Sequence, residues 1–340
     1  MVALGCIAFF GCGVPSRAQP AQSGSLSEVT FTNYTPLSGN AELARRLLSP
    51  LKNAQLQKML ANGAKLRDQA IDLSQEKFAL YVPPRMPAAG YGLIVFVPPW
   101  NVERLPDEWG PVLDQYGIIF VSAVKSGNDQ NVLARREPLA LLGESNVAQR
   151  YRIDPSRIYI AGFSGGSRIA LRLALGYPDV FRGAILNSGS DPIGNATVPL
   201  PPSDLFARFQ ETSHLVYLSG DQDTDIIAAD TASLHSLRDY CVFHADQHNT
   251  MGGGHDAIGG AALSRALDIL SEPADTDTAR LTECRAAISS QMDAKLADVR
   301  SLIAAGKNTE ARKLLDDIDA QYGGLAAPQT VELASKIAAP

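Results

Sequence analysis

The sequence is poor in the residues that metal and redox chemistry require. It holds only four cysteines and five histidines, without zinc-ligand spacing and without an H-E-x-x-H pair. Residues 252–254 are three glycines, but no Lys-Ser/Thr pair follows them to bind phosphate. Asp221, Asp223 and Asp225 resemble the start of a calcium loop, yet Ile226 and Ala232 stand where glycine and glutamate are needed. We therefore expect no cofactor and no bound metal.

Positive charge is also scarce. Lys and Arg total 30 against 36 Asp and Glu, which gives a formal net charge of −6, and no run of basic residues stands out. A protein whose main partner is nucleic acid needs a clustered basic surface, so this class is excluded.

Long apolar runs are missing as well. Residues 2–14 are apolar but too few to span a bilayer, and the small residues Ser16 and Ala18 follow them. We interpret residues 1–18 as an export signal, although no Lys or Arg precedes the apolar run. Cys12 offers a second interpretation, a lipoprotein attachment site. The sequence thus predicts a periplasmic or extracellular protein without a transmembrane segment.

Two cysteines, Cys241 and Cys284, remain after such a signal is removed. An oxidising compartment would allow them to form a disulfide, and two separate buried thiols are the other possibility. The sequence leaves both open.

The chain divides into segments of different composition. Residues 19–39 look like a linker, and residues 41–48 and 51–60 have helical periodicity, so residues 19–69 are predicted to hold a linker and N-terminal helices. Residues 70–271 alternate short β-branched or aromatic runs with amphipathic stretches, which is typical of a mostly parallel sheet covered by helices. The predicted strands are 77–82, 93–97, 118–124, 157–161, 183–187, 215–219 and 241–245, with an eighth near 70–73.

The composition changes again beyond residue 272, toward alanine, leucine, lysine and aspartate. Apolar residues from Leu281 to Ile303 recur at helical spacing. Gly306 is expected to end this helix, Asn308 to cap a second, and Pro328 to open a short third. Residues 276–340 are therefore predicted to form a helical hairpin appendage, which we expect to serve packing rather than partner binding.

The strongest chemical signal is a G-x-S-x-G motif at residues 162–166. A predicted strand precedes it and a helical segment follows, so Ser164 stands on a sharp strand-to-helix turn. Gly162 and Gly166 are needed there because the turn brings backbone segments close together. Ser164 is the predicted nucleophile, and the amide of Gly165 is placed to stabilise an oxyanion.

A serine nucleophile needs a base and an orienting acid. After a G-x-S-x-G turn of this kind, the acid and then the histidine are expected further along the chain, and both are present in that order. Asp223 lies in a loop after one predicted strand, and His255 follows a glycine run after the next. We favour His255 over His248 as base, and Asp223 over Asp221 and Asp225 as acid. A second oxyanion donor is expected from the loop at residues 98–101, where Trp100 is the first residue after two prolines with an amide hydrogen.

Together these segments resemble the α/β-hydrolase superfamily over about residues 70–271. The compact core without a large cap insertion is similar to the secreted polyhydroxybutyrate depolymerases and the feruloyl and acetyl xylan esterases. The usual His-Gly of the oxyanion loop is replaced here by Pro98-Pro99-Trp100. The resemblance implies an α/β-hydrolase fold of about eight strands and a serine hydrolase that acts on small or polymer-derived esters. Peptidase or amidase activity, and a non-catalytic binding role, are the alternatives.

Overall fold

The computed structural model describes residues 23–272 and 277–338. The predicted export signal and Cys12 lie outside these residues. Within the two described ranges, no helix combines the length and the apolar character needed to cross a membrane.

The core is one sheet of eight strands in the order β1-β2-β4-β3-β5-β6-β7-β8. The β1–β2 and β2–β4 pairs are antiparallel, and all other pairs are parallel. This is the α/β-hydrolase fold, so the fold prediction is confirmed. The strands are β1 (Leu26–Val29), β2 (Phe78–Tyr81), β3 (Tyr91–Val97), β4 (Ile118–Ala123), β5 (Ile153–Phe163), β6 (Gly183–Asn187), β7 (His214–Gly220) and β8 (Ala245–Thr250).

Helices cover both faces of the sheet because its central strands are apolar on both sides. In β3, for example, Val95 belongs to the apolar core on one face, with Leu139 and Ile169, whereas Phe96 belongs to the core on the opposite face, with Trp109 and Leu263. The helices around the sheet are α1 (Asn40–Leu47), α2 (Pro50–Ala61), α3 (Trp109–Tyr116), α4 (Glu137–Arg150), α5 (Gly165–Gly176), α6 (Ser203–Thr212), α7 (Thr224–Asp239) and α8 (Gly260–Ser271).

Two strand predictions were wrong. Residues 70–73 form no strand; instead, β1 comes from within the segment interpreted as a linker. This short edge strand exists because it pairs with β2, a contact that local sequence does not encode. The final strand is β8 rather than residues 241–245. Its sequence is polar because it lies at the sheet edge, whereas the buried side chain of Val242 belongs to the turn before it.

A C-terminal helical region follows the sheet, as predicted: α9 (Thr278–Ala304), α10 (Asn308–Tyr322) and α11 (Gln329–Ala338). It has its own apolar core, which includes Leu296, Val299 and Leu315. Cys241 and Cys284 form a disulfide that joins α9 to the turn before β8. The predicted division into domains stays a prediction.

Candidate active site

Ser164 lies on a tight turn between β5 and α5. Its backbone angles, φ 55° and ψ −124°, are unfavourable for a residue with a side chain. A Cβ atom on Gly162 would overlap the carbonyl of Gly166, and one on Gly166 would overlap the carbonyl of Val97. The two glycines therefore allow three backbone segments to meet beneath the strained serine, which is the geometry of a nucleophile elbow.

The structure brings Ser164, His255 and Asp223 into one hydrogen-bonded chain. The Nε2 atom of His255 lies 2.9 Å from Oγ of Ser164, and its Nδ1 atom lies 2.6 Å from Oδ2 of Asp223. One tautomer satisfies both contacts: Nδ1–H donates to the carboxylate, and Nε2 accepts from the hydroxyl. The imidazole side chain is 43% exposed and the carboxylate only 15%. A substrate can therefore reach the imidazole while the acid is shielded from water.

The loops that carry Asp223 and His255 are held together by their backbones. The amide of Gln222 donates to the carbonyl of Gly253 at 3.0 Å, and that of Asp221 donates to the carbonyl of Thr250. Gly220 packs so closely on Gly253 that a side chain would not fit. This contact fixes the separation of the two loops, and with it the approach of acid to base.

The competing residues have other positions. The carboxylate of Asp221 accepts from the amide of Gly252 at 2.9 Å, and Asp225 is an exposed residue in the first turn of α7. His214 is the first residue of β7, so it lies at the opposite end of the strand from the active-site loops. Its Nε2 atom lies 2.7 Å from Oδ2 of Asp246. His248, the less favoured candidate for the base, lies within β8.

The two predicted oxyanion donors belong to different segments. The amide of Gly165 is in the first turn of α5, and Trp100 belongs to the loop after β3. The indole of Trp100 packs near Phe163, 6.2 Å between ring centroids. Asn128, which the sequence did not single out, places its side-chain amide against Gly165, where a Cβ atom would overlap it. The roles of Gly165 and Trp100 as oxyanion donors stay predictions.

Arg136 is a second residue that the sequence analysis missed. Its buried guanidinium donates to the carbonyls of Ser126 at 2.9 Å, Pro98 at 2.9 Å and Gly165 at 3.3 Å. Burial lowers the pKa of Arg136 to about 10. One side chain thus ties the loop after β3 and the loop after β4 to the elbow. No sequence motif marks it, because its partners are backbone atoms from three separate segments.

Asn187, at the end of β6, holds the loop that carries His255 in place by side-chain hydrogen bonds to its backbone. Its Oδ1 atom accepts from the amide of Ile258 at 2.9 Å, and its Nδ2 atom donates to the carbonyls of Leu218 at 3.0 Å and Asp256 at 3.3 Å. Nearby, Asp230 accepts from the hydroxyl of Ser219 at 2.6 Å, and burial raises the pKa of this carboxyl to about 6. Through these hydrogen bonds, the buried polar groups hold the end of β7 and the loop that carries His255 in place.

A groove of about 790 Å³ opens at Ser164. The connection from α1 to α2, the first turns of α5 and residues 128–136 line it, and Ala196, Thr197 and Pro199 line it from the loop between β6 and α6. In the part of the chain that the structure describes, no group of three or more His, Cys, Asp or Glu side chains could hold a metal ion.

No family model matches the chain. A poly(3-hydroxybutyrate) depolymerase from Ralstonia pickettii is 30% identical over 98 residues, which cover 25% of this chain. The match spans about a fifth of the length of that curated relative, 20%.

Several solved structures are similar to the chain. The S-formylglutathione hydrolase FrmB from Staphylococcus aureus has a TM-score of 0.46 and 13% identity, over 58% of this chain and 93% of its own. The acetyl xylan esterase from Aspergillus awamori has a TM-score of 0.44 and 13% identity, over 57% and 94%. The poly(3-hydroxybutyrate) depolymerase LpqC from Bordetella parapertussis has a TM-score of 0.43 and 18% identity, over 62% and 88%.

Proposed function

We propose that this protein is a serine hydrolase that cleaves carboxylic esters through an acyl-enzyme intermediate on Ser164. The observation that carries the proposal is the continuous hydrogen-bonded chain from Ser164 through His255 to Asp223. A hydroxyl alone is a weak nucleophile at neutral pH, and this arrangement supplies the base and the orienting acid that activate it.

The reaction proceeds in two steps. Oγ of Ser164 attacks the ester carbonyl while Nε2 of His255 takes its proton, and the carboxylate of Asp223 stabilises the imidazolium that forms. Backbone amides beside the elbow, with those of Gly165 and Trp100 as our candidates, would bind the developing oxyanion. His255 then returns the proton to the leaving alkoxide. In the second step, water attacks the acyl-enzyme by the same route and releases the acid.

An ester is favoured over an amide on two grounds. The 98-residue match is to a depolymerase of a polyester. The half-buried Ser164 also opens into a groove beside the sheet, and the described residues contain no recognisable peptide-binding domain. A triad by itself does not discriminate ester from amide, so peptidase or amidase activity is the alternative to test.

The experiment combines labelling with a substrate panel. The wild-type protein should react with a fluorophosphonate probe at Ser164 and hydrolyse 4-nitrophenyl esters, and the Ser164→Ala variant should do neither. Aminoacyl 4-nitroanilides serve as the comparison. Cleavage of anilides but not esters would overturn the ester assignment. A folded protein that neither labels nor hydrolyses would favour a non-catalytic binding role.

We also propose that the chain is exported. Residues 2–14 support this as an apolar segment, and so does the Cys241–Cys284 disulfide, because such bonds persist in oxidising compartments. Mass spectrometry of the protein after expression in a Gram-negative host should find it in the periplasm or medium, with its N-terminus near residue 19. Lipid on Cys12 would instead support membrane anchoring, and an uncleaved cytoplasmic product would refute export.

A further inference from the structure

The groove that opens at Ser164 is rich in positive charge. Among the described residues that line it, four are cationic and one is a carboxylate: Lys52, Arg136, Arg168, Arg172 and Asp191. The chain as a whole carries a formal net charge of −6. The positive groove is therefore a local feature and does not follow from the composition.

Two of the four cations already form hydrogen bonds or ion pairs with other groups of the protein. The guanidinium of Arg172 contacts the buried carboxylate of Glu137 at 2.7 Å and the carbonyl of Thr197 at 2.6 Å. Arg136 binds the three backbone carbonyls described above. Because their donors are directed into the protein, these two arginines shape the groove and are poor candidates for contact with a ligand.

Arg168 and Lys52 differ from them. The Nε atom of Arg168 lies 3.3 Å from a carboxylate oxygen of Asp191, and the side chain is still 47% exposed, so its terminal nitrogens remain accessible. The ammonium of Lys52 is exposed and donates to the carbonyl of Ala196 at 3.3 Å. Both cations can therefore bind an anion in the groove without first losing a buried interaction.

Arg168 also has a fixed relation to the nucleophile. It follows Ser164 by four residues, and α5 begins between them, so the backbone of Arg168 lies about one helical turn, roughly 5–6 Å along the axis of α5, from that of the serine. Lys52 approaches from α2, on a different wall. A substrate that extends from Ser164 along α5 meets Arg168 first.

The lining of the groove relates it to one side of the scissile bond. Ser164 and Gly165 line it, whereas His255 is absent from its described lining. The leaving alkoxide has to approach Nε2 of His255 to receive its proton, so the alcohol part of the ester lies on the histidine side. An acyl chain that extends away from His255 along α5 enters the cationic groove.

We infer that the preferred substrates are esters whose acyl chain carries a distal carboxylate, which Arg168 binds with the help of Lys52. The planar guanidinium matches a carboxylate with two parallel donors, and its attraction adds to that of the nearby ammonium. This inference rests on the proposed esterase function and narrows its substrate class to half-esters of dicarboxylic acids and similar anionic acyl groups.

The test compares two acyl chains that differ only in charge. The substrates are the 4-nitrophenyl half-esters of adipic and suberic acid and the analogues in which an uncharged carboxamide replaces the distal carboxylate. Wild-type kcat/KM should be roughly tenfold higher for the carboxylate than for the carboxamide at low salt, and the ratio should decline as salt screens the attraction.

Three variants assign that preference to the groove. Arg168→Gln should bring the ratio close to one, Arg168→Glu should invert it, and Asp191→Asn should increase it by removing the competing carboxylate. Arg265→Gln, at an exposed position on α8, is the matched control and should keep the wild-type ratio. Equal wild-type rates on both acyl chains, or a preference that survives Arg168→Gln, would overturn the inference while the esterase function stands.

A binding measurement separates this inference from the proposed function. If no ester is hydrolysed and the probe does not label Ser164, the proposed function fails. Calorimetric titration of Ser164→Ala with the half-ester and the carboxamide still tests the groove. Tighter binding of the half-ester, lost in the Ser164→Ala, Arg168→Gln double variant, would support it, and equal binding of the two compounds would refute it.

Discussion

The carboxylate of Asp223 lies 2.6 Å from Nδ1 of His255, although two further aspartates stand at alternate positions in the same loop region. The carboxylate of Asp221 instead accepts a hydrogen bond from the backbone amide of Gly252, and Asp225 lies in the first turn of α7. The structure thus places one of the three aspartates against the imidazole, and this selection can be tested by substitution.

Asp223→Asn should lower kcat by roughly 10⁴-fold, because the amide would favour the wrong imidazole tautomer. Asp225→Asn is the matched control, and we expect it to retain kcat within about twofold because this exposed side chain does not contact His255. Steady-state kinetics on a 4-nitrophenyl ester measures both. A collapse of kcat in Asp225→Asn with near-full activity in Asp223→Asn would mean that the acid is misassigned.

Arg136 should act as a positioning residue for the elbow. Arg136→Met removes three donors to backbone carbonyls, including that of Gly165, and should reduce kcat by about 100-fold with a smaller change in KM. Arg136→Lys should restore part of the rate, since an ammonium can still donate to some of these carbonyls. Fluorophosphonate labelling of Ser164 should slow in parallel with kcat.

The adjacent Arg135 provides the control for a purely structural effect. Its guanidinium forms a two-pronged ion pair with Glu76, at 2.7 and 2.8 Å, and makes no contact with Gly165. Arg135→Met should lower the melting temperature but leave kcat close to the wild-type value below that temperature. Equal losses of kcat in Arg135→Met and Arg136→Met would argue against a positioning role.

The Cys241–Cys284 disulfide should stabilise the protein without affecting catalysis. The bonded cysteines are 43 residues apart, and closing a loop of this length is worth about 4 kcal/mol in the chain-entropy model. A double Cys→Ala variant should lose up to about that free energy of unfolding and keep kcat at 25 °C, because neither cysteine lies near Ser164 in the described groove. Chemical denaturation measures the loss.

Reductant provides the internal control for the disulfide. Dithiothreitol should lower the melting temperature of the wild-type protein and have no effect on the double variant. A wild-type melting temperature that does not respond to full reduction would contradict the prediction.

Glu144, on α4, should make stability depend on pH. Burial raises the pKa of this carboxyl from 4.5 to about 7, so between these values the folded protein binds more protons at Glu144 than the unfolded chain does. Stability therefore declines as pH rises through this range, and the full penalty, roughly 3–4 kcal/mol, is reached near pH 8.

Glu144→Gln should remove that penalty. The variant should be more stable than the wild type at pH 8 and nearly equal to it at pH 4, where the carboxyl is mostly protonated in both states. Exposed Glu283→Gln on α9 is the control and should show little difference at either pH. Denaturant titrations at the two pH values would decide, and a variant that is less stable at pH 8 would contradict the assignment.

Much of the fold was predictable from sequence because its signals are local. The central strands are continuous apolar runs, buried on both faces, and they fall where the hydrophobic pattern predicts. The edge strands β1 and β8 were missed or misplaced because edge strands are partly exposed and their sequences, LSEV and ADQHNT, lack an apolar run. Pairing with a neighbour defines them.

The elbow was recognisable from the local sequence, because only glycine fits at positions 162 and 166 around the strained Ser164, and so was the chain order of Ser164, Asp223 and His255. Three features emerge only from the folded chain: the contact of Asp223 with the imidazole, the bond between Cys241 and Cys284, and the hydrogen bond of Arg136 to the elbow. Steric limits at a turn act between neighbouring residues and leave a mark in the local sequence. Hydrogen bonds between distant segments depend on how the strands and loops pack, and no local pattern encodes that packing.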